Sequence, residues 1–143
     1  MATYRPDGPR RTATGYHVPA GAQLPGLTGS RPGTRLVVGA NARVAAIRHA
    51  GAVELQREAA CDRLEAGQDV LLATGCRVPG GVRAGGRVVV QAGAVVGPID
   101  AGSDVLLLGD CVVGDVACKG DVLLDGAPRT GTLAPAGRVT RWR

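Results

Sequence analysis

Residues 83–116 carry one seventeen-residue pattern written twice, RAGGRVVVQAGAVVGPI followed by DAGSDVLLLGDCVVGDV. Each copy has a Gly-containing corner, a strand of alternating Val or Leu, a second turn, a Val-Val step and a closing aliphatic residue. A unit this short has no means of burying its own apolar face, so its copies must stack and share a core. The pattern therefore predicts a coil of a β-solenoid.

The pattern extends well beyond these two copies. From Arg31 it runs in succession as RPGTRLVVGANARVAAI, RHAGAVELQREAACDRL and EAGQDVLLATGCRVPGGV, then the two copies above, then ACKGDVLLDGAPRTGTL and a truncated APAGRVTRWR. One coil, closing with Pro79-Gly80-Gly81, has eighteen residues instead of seventeen. An earlier partial coil is visible because PAGAQLPGL (residues 19–27) aligns without a gap on QAGAVVGPI (residues 91–99). It puts Tyr16, Val18, Ala22, Leu24 and Leu27 in inward positions, with residues 28–30 as a three-residue insertion at a corner, where loops are tolerated.

Four aliphatic columns follow from this alignment. The first aliphatic of each strand is Leu36, Val53, Val70, Val88, Val105, Val122 and Val139; two residues on come Val38, Leu55, Leu72, Val90, Leu107 and Leu124. Alternate residues of a strand share a face, so both columns point inward from one wall and the residue between them points out. A third column (Val44, Cys61, Val78, Val96, Val113, Thr130) and a closing column (Ile47, Leu64, Val82, Ile99, Val116, Leu133) belong to two further walls. Three walls joined by three Gly- or Pro-rich corners make a triangular prism of roughly seven coils. A fifth column, Ala42, Ala59, Cys76, Ala94, Cys111 and Pro128, is small throughout, as a crowded corner requires.

Composition agrees with a narrow β core. The 143-residue chain has no Phe, one Trp and two Tyr, so its interior must be filled by small branched side chains, which favour strands over helices. Cys76 and Cys111 lie two coils apart, about 9.6 Å at the usual interstrand spacing, too far for a disulfide. With no C-x-x-C spacing among Cys61, Cys76, Cys111 and Cys118, all four are expected to be core thiols in a reducing compartment. The N-terminus lacks the apolar stretch of a secretion signal, and no run of eighteen apolar residues exists, so a cytoplasmic location is expected.

The chemistry expected of this chain is structural. Neither His17 nor His49 lies in a nucleophile pattern, and no phosphate-binding glycine motif follows a strand. Asp69, Asp104 and Asp121 recur at one position, but Arg87 interrupts them, so a solvated acidic face is expected rather than a calcium ladder. No catalytic, cofactor-binding or metal-ligating residue is assigned.

Charge is uneven along the chain. Residues 40–128 hold eight Arg and Lys against eleven Asp and Glu, a balance of −3, whereas the two ends hold nine Arg against Asp7, a balance of +8. Residues 1–15, MATYRPDGPRRTATG, read as a disordered basic tail preceding a β-helix domain at 16–143. In that tail Met1, Tyr4, Arg5, Arg10 and Arg11 are candidates for contact with an anionic membrane surface or a partner, weak singly and strengthened by avidity in a polymer. At the other end, residues 139–143 continue the strand pattern, with Arg141 where an aliphatic residue is due. No amphipathic capping helix is evident at either end, and a bare strand edge templates another chain.

The near-seventeen-residue coil, its V-x-V strand, the G-x-V corner cadence (GGRVVV, GDVLL, GAVVGPI, GDCVVGDV) and the short basic tail resemble the bactofilins, bacterial polymer-forming cytoskeletal proteins. The likeness spans residues 16–143. It implies a right-handed parallel β-helix that assembles end to end, head to head and tail to tail, into non-polar filaments without nucleotide. It also implies attachment of the tail to the inner face of the cytoplasmic membrane and a scaffolding role toward cell-wall enzymes, polarity factors or chromosome-organising proteins. Members commonly carry a Phe near the C-terminal contact; here Trp142 takes that place. The residues expected at the polymer contacts are Val139, Arg141 and Trp142 at one end and Tyr16, Val18 and Leu24 at the other.

The enzyme alternative is a left-handed β-helix of the hexapeptide-repeat acyltransferase type, which places a catalytic histidine between subunits; here His49, the only histidine in a regular coil, stands alone. The coil of that type is eighteen residues with an aliphatic every six, a spacing that survives here between Val90 and Val96. Nucleic-acid binding is not expected, because one Trp and an acidic middle provide neither a stacking platform nor a continuous basic groove.

Overall fold

The computed structural model describes residues 10–11, 15–24, 27–29 and 35–141, and among them there is no helix. The chain winds into a β-solenoid of about seven coils with three walls. In the first wall, strands Gly15–Val18, Arg35–Val38, Ala52–Leu55, Val70–Leu72, Val88–Val90, Val105–Leu108, Val122–Asp125 and Val139–Arg141 stack in parallel. Leu36, Val53, Val70, Val88, Val105, Val122 and Val139 stand directly above one another in register. The seventeen-residue spacing thus translates into one coil per step.

The second wall carries the column Leu24, Val44, Cys61, Val78, Val96 and Val113, and the third the column Leu27, Ile47, Leu64, Val82, Ile99, Val116 and Leu133. The corner between these two walls depends on its residues. Where it is Ala45-Ala46 or Asp62-Arg63, the strand runs straight through it, as Arg43–His49 and Ala60–Ala66. From Pro79 onward Gly and Pro interrupt the strand at that corner, and short separate strands result. The second and third walls are therefore one continuous sheet in the early coils and two in the late ones.

The eighteen-residue coil places its extra residue in Pro79-Gly80-Gly81. Val78 pairs with Val96 eighteen residues on, whereas Val82 pairs with Ile99 seventeen on. Gly81 absorbs the excess at φ 99°, a conformation glycine adopts without steric cost. The three-residue insertion in the first coil lies later than residues 28–30. Thr28 and Gly29 pair in register with Arg48 and His49, so the excess falls within 30–34, outside the described residues.

The core is one continuous column of small aliphatic side chains. Both inward columns of the first wall are buried from Leu36 to Leu124, and the small corner residues Ala42, Ala59, Cys76, Ala94 and Cys111 are fully buried beside them. A further inward column, His49, Ala66, Ala84, Ala101 and Cys118, lines the end of the third wall. Each coil encloses several aliphatic side chains worth roughly 1.5 to 3 kcal/mol apiece, but only when the coils above and below are in place. Stability is collective along the stack.

Candidate functional site: the two ends of the stack

Several outward charges on the side walls are paired. Outward charges pair one coil apart: Arg48 Nε lies 3.2 Å from Glu65 Oε2 and Arg83 Nε 3.8 Å from Asp100 Oδ2 on the third wall, with Arg35 and Glu54 at 3.7 Å on the first. Exposed pairs of this kind contribute at most about 1 kcal/mol each and offer no unpaired charge to a ligand.

The aspartates expected to form a solvated acidic face do something more specific. Asp69, Asp104 and Asp121 each use Oδ1 to accept the backbone N–H of the equivalent residue one coil on, Arg87, Asp121 and Arg138, at 2.8 Å. Asp115 does the same for Thr132 at 2.9 Å at another corner. These carboxylates are corner fasteners, and Arg87 fits the series because its backbone is the donor. Among the described residues, no three His, Cys, Asp or Glu side chains are grouped to hold a metal ion.

All four cysteines are free and buried. Desolvation pushes the Cys61 thiol up to about 12, against a hydrogen bond to the Arg63 backbone that lowers it, and pushes Cys76 up to about 11. Cys111 and Cys118 are raised by the same cause. Thiols in this state are weak nucleophiles. His49 is also buried, at 2% exposure, inside the third wall. Its ring faces the core, not a cleft between walls.

One lateral feature escaped the column analysis. The outward residue of the first wall is itself aliphatic in four consecutive coils, Leu71, Val89, Leu106 and Leu123, each half-buried against the next. Val95 and Val112, neighbours on the second wall, are exposed. Reading the middle residue of each V-x-V strand as a column would have revealed the stripe.

The ends differ from everything between them. At the C-terminal end, Val139–Arg141 pairs with Val122–Asp125 below and is the edge of the sheet. Val139 continues the first inward column yet is 46% exposed, while Val122 beneath it is fully buried, because no described coil lies above Val139. Arg141 occupies the inward register over Leu124, but this terminal rung leaves it exposed, with Nη1 donating to the Gly126 carbonyl at 3.4 Å. The desolvation cost of an arginine at that position is therefore not incurred in the single chain. Trp142 lies outside the described residues.

At the N-terminal end, Val18 is fully buried and Leu24 packs partly buried against the core. Tyr16 is in register over Leu36, and its side chain lies outside the description. Two residues of the expected tail are described within the first sheet. Arg10–Arg11 forms a short strand antiparallel to Gly15–Val18, with Arg10 opposite His17 and Arg11 opposite Tyr16. The backbone of two nominal tail residues thus belongs to the sheet, because the edge strand offers N–H and C=O groups that a nearby segment satisfies. Met1, Tyr4 and Arg5 lie outside the described residues.

The fold defines a structural class, a parallel β-solenoid in which the last described rung, Val139–Arg141, is a sheet edge. No family model, no curated protein and no solved structure matches the chain.

Proposed function

We propose that the protein is a cytoskeletal scaffold of the bactofilin kind, which assembles end to end into non-polar filaments without nucleotide. The observation that carries this reading is the exposure of Val139 on the last described rung, in register with a column that is buried from Leu36 to Val122. A second copy docking there converts a terminal coil into an interior one. The periodic corner cadence and the basic tail, which the chain shares with bactofilins, support the same reading. The tail is proposed to attach the polymer to the inner face of the cytoplasmic membrane, and the side walls to receive cell-wall or polarity proteins.

The acyltransferase alternative has less support. The columns repeat at seventeen residues, and His49, the histidine that reading would have to use, is buried in the core.

Negative-stain microscopy of the purified protein without nucleotide tests the proposal. Filaments are expected for the native chain and are expected to vanish in Val139→Arg with circular dichroism unchanged. Uniform monomers at high concentration would refute the reading.

A further inference from the structure

One strand pair departs from the rest of the molecule. Every described pair between coils is parallel, as stacking of a continuous helix requires. The pair formed by Arg10–Arg11 on Gly15–Val18 is antiparallel, and it sits on the outermost N-terminal edge of the first wall.

The direction of that pair matters for assembly. Two copies meeting head to head so that the first wall continues across the junction are related by a two-fold axis normal to that wall. Such an axis reverses strand direction, so the two Gly15–Val18 edges face each other antiparallel. Arg10–Arg11 therefore approaches the edge in the same direction as the strand of a partner copy would.

We infer that the segment containing Arg10–Arg11 is an internal competitor for the head-to-head contact, occupying the Gly15–Val18 edge until a second copy displaces it. The inference rests on the end-to-end reading above and adds to it a specific occupant for one end. A strand of two residues is marginally stable, so it releases readily. Its tether nevertheless gives it a high effective concentration, in the mM range for short linkers, against an incoming copy. The C-terminal edge at Val139–Arg141 carries no such strand among the described residues. Among the described residues the two ends thus differ: the C-terminal edge has no competing strand, whereas the N-terminal edge is gated by one.

Full-length variants test this by sedimentation velocity across a concentration series. Arg10→Pro/Arg11→Pro removes both backbone donors and is expected to lower the assembly threshold about tenfold, the factor given by releasing about 1.4 kcal/mol. Arg10→Ala/Arg11→Ala removes the same charges but keeps the donors, and is expected to stay close to the native threshold. In Arg10→Cys/His17→Cys, directly opposed positions lie within disulfide reach, and oxidation is expected to raise the threshold while reduction restores it.

An unchanged or higher threshold in the proline variant, an equal fall in the alanine variant, or indifference of the cysteine variant to oxidation would each overturn the inference while leaving filament formation standing. Failure of every chain to assemble at any concentration would overturn the filament reading and the inference together.

Discussion

Val122 and Val139 are the same position in consecutive coils, and they differ in one respect: Val122 is fully buried and Val139 is 46% exposed. Replacing valine by alanine removes two methylene equivalents, worth about 0.8 kcal/mol each when fully buried. Val122→Ala should therefore destabilise the folded chain by about 1.6 kcal/mol, and more if a cavity remains. Val139→Ala forfeits only the part already buried, about 0.9 kcal/mol, at a terminus free to relax. The remaining part, about 0.7 kcal/mol, is realised only when another copy covers the rung. A two-fold contact contains two such valines, so about 1.4 kcal/mol is lost per junction, close to a tenfold weakening. Urea unfolding in dilute solution measures the first quantity and sedimentation velocity over a concentration series the second. The reasoning fails if Val139→Ala leaves association unchanged, or if it destabilises the monomer as much as Val122→Ala.

Other perturbations probe the fold directly. Glu58 adopts φ 63° at a corner where Gly75 and Gly93 hold the equivalent positions at 77° and 78°, so Glu58→Gly should raise stability by about 0.5 to 1 kcal/mol, read as an increased urea midpoint. Leu107→Ala, at a fully buried site between Val90 and Leu124, should cost about 3 kcal/mol and lower the midpoint of the whole stack rather than one coil. Asp104→Ala strips the Asp121 N–H of its acceptor and should cost about 1 kcal/mol, with faster hydrogen exchange at that amide. The Cys61 thiol, raised to about 12, stays protonated when folded but ionises on unfolding from about pH 9 upward. Its contribution is thus complete below that pH and lost as pH rises toward 12, at up to about 1.4 kcal/mol per pH unit, a slope that Cys61→Val should reduce in alkaline urea titrations.

Most of the fold was legible because a solenoid writes its geometry into the period of its sequence. The step from Val78 to Val96 is eighteen residues and that from Val82 to Ile99 seventeen, so even the extra residue at Pro79-Gly80-Gly81 could be placed. The same logic accounts for the fully buried Cys76 and Cys111, which stand where other coils have alanine. Legibility failed where backbone rather than side chain was the partner. The role of Asp69, Asp104 and Asp121 depends on the N–H groups of the coil above, for which residue type is no guide, so the arginine at 87 looked like an interruption. Arg10–Arg11 was hidden for the same reason: two arginines beside a proline carry no strand pattern, yet an open edge recruits whatever backbone is tethered within reach.

Stability and assembly in this architecture draw on one set of interactions. An interior coil gains its full burial from two neighbours, whereas the last described coil has one described neighbour, and the exposure of Val139 measures what a second would supply. In the proposed polymer, end-to-end contact would continue folding across a chain boundary without nucleotide, since hydrophobic cover and strand hydrogen bonds suffice within the chain. What such a design must control is where the continuation stops. In the proposed polymer, charge at Arg138 and Arg141 would temper the C-terminal rung and the antiparallel Arg10–Arg11 strand would cover the N-terminal edge, so the two ends would restrain growth by different physical means.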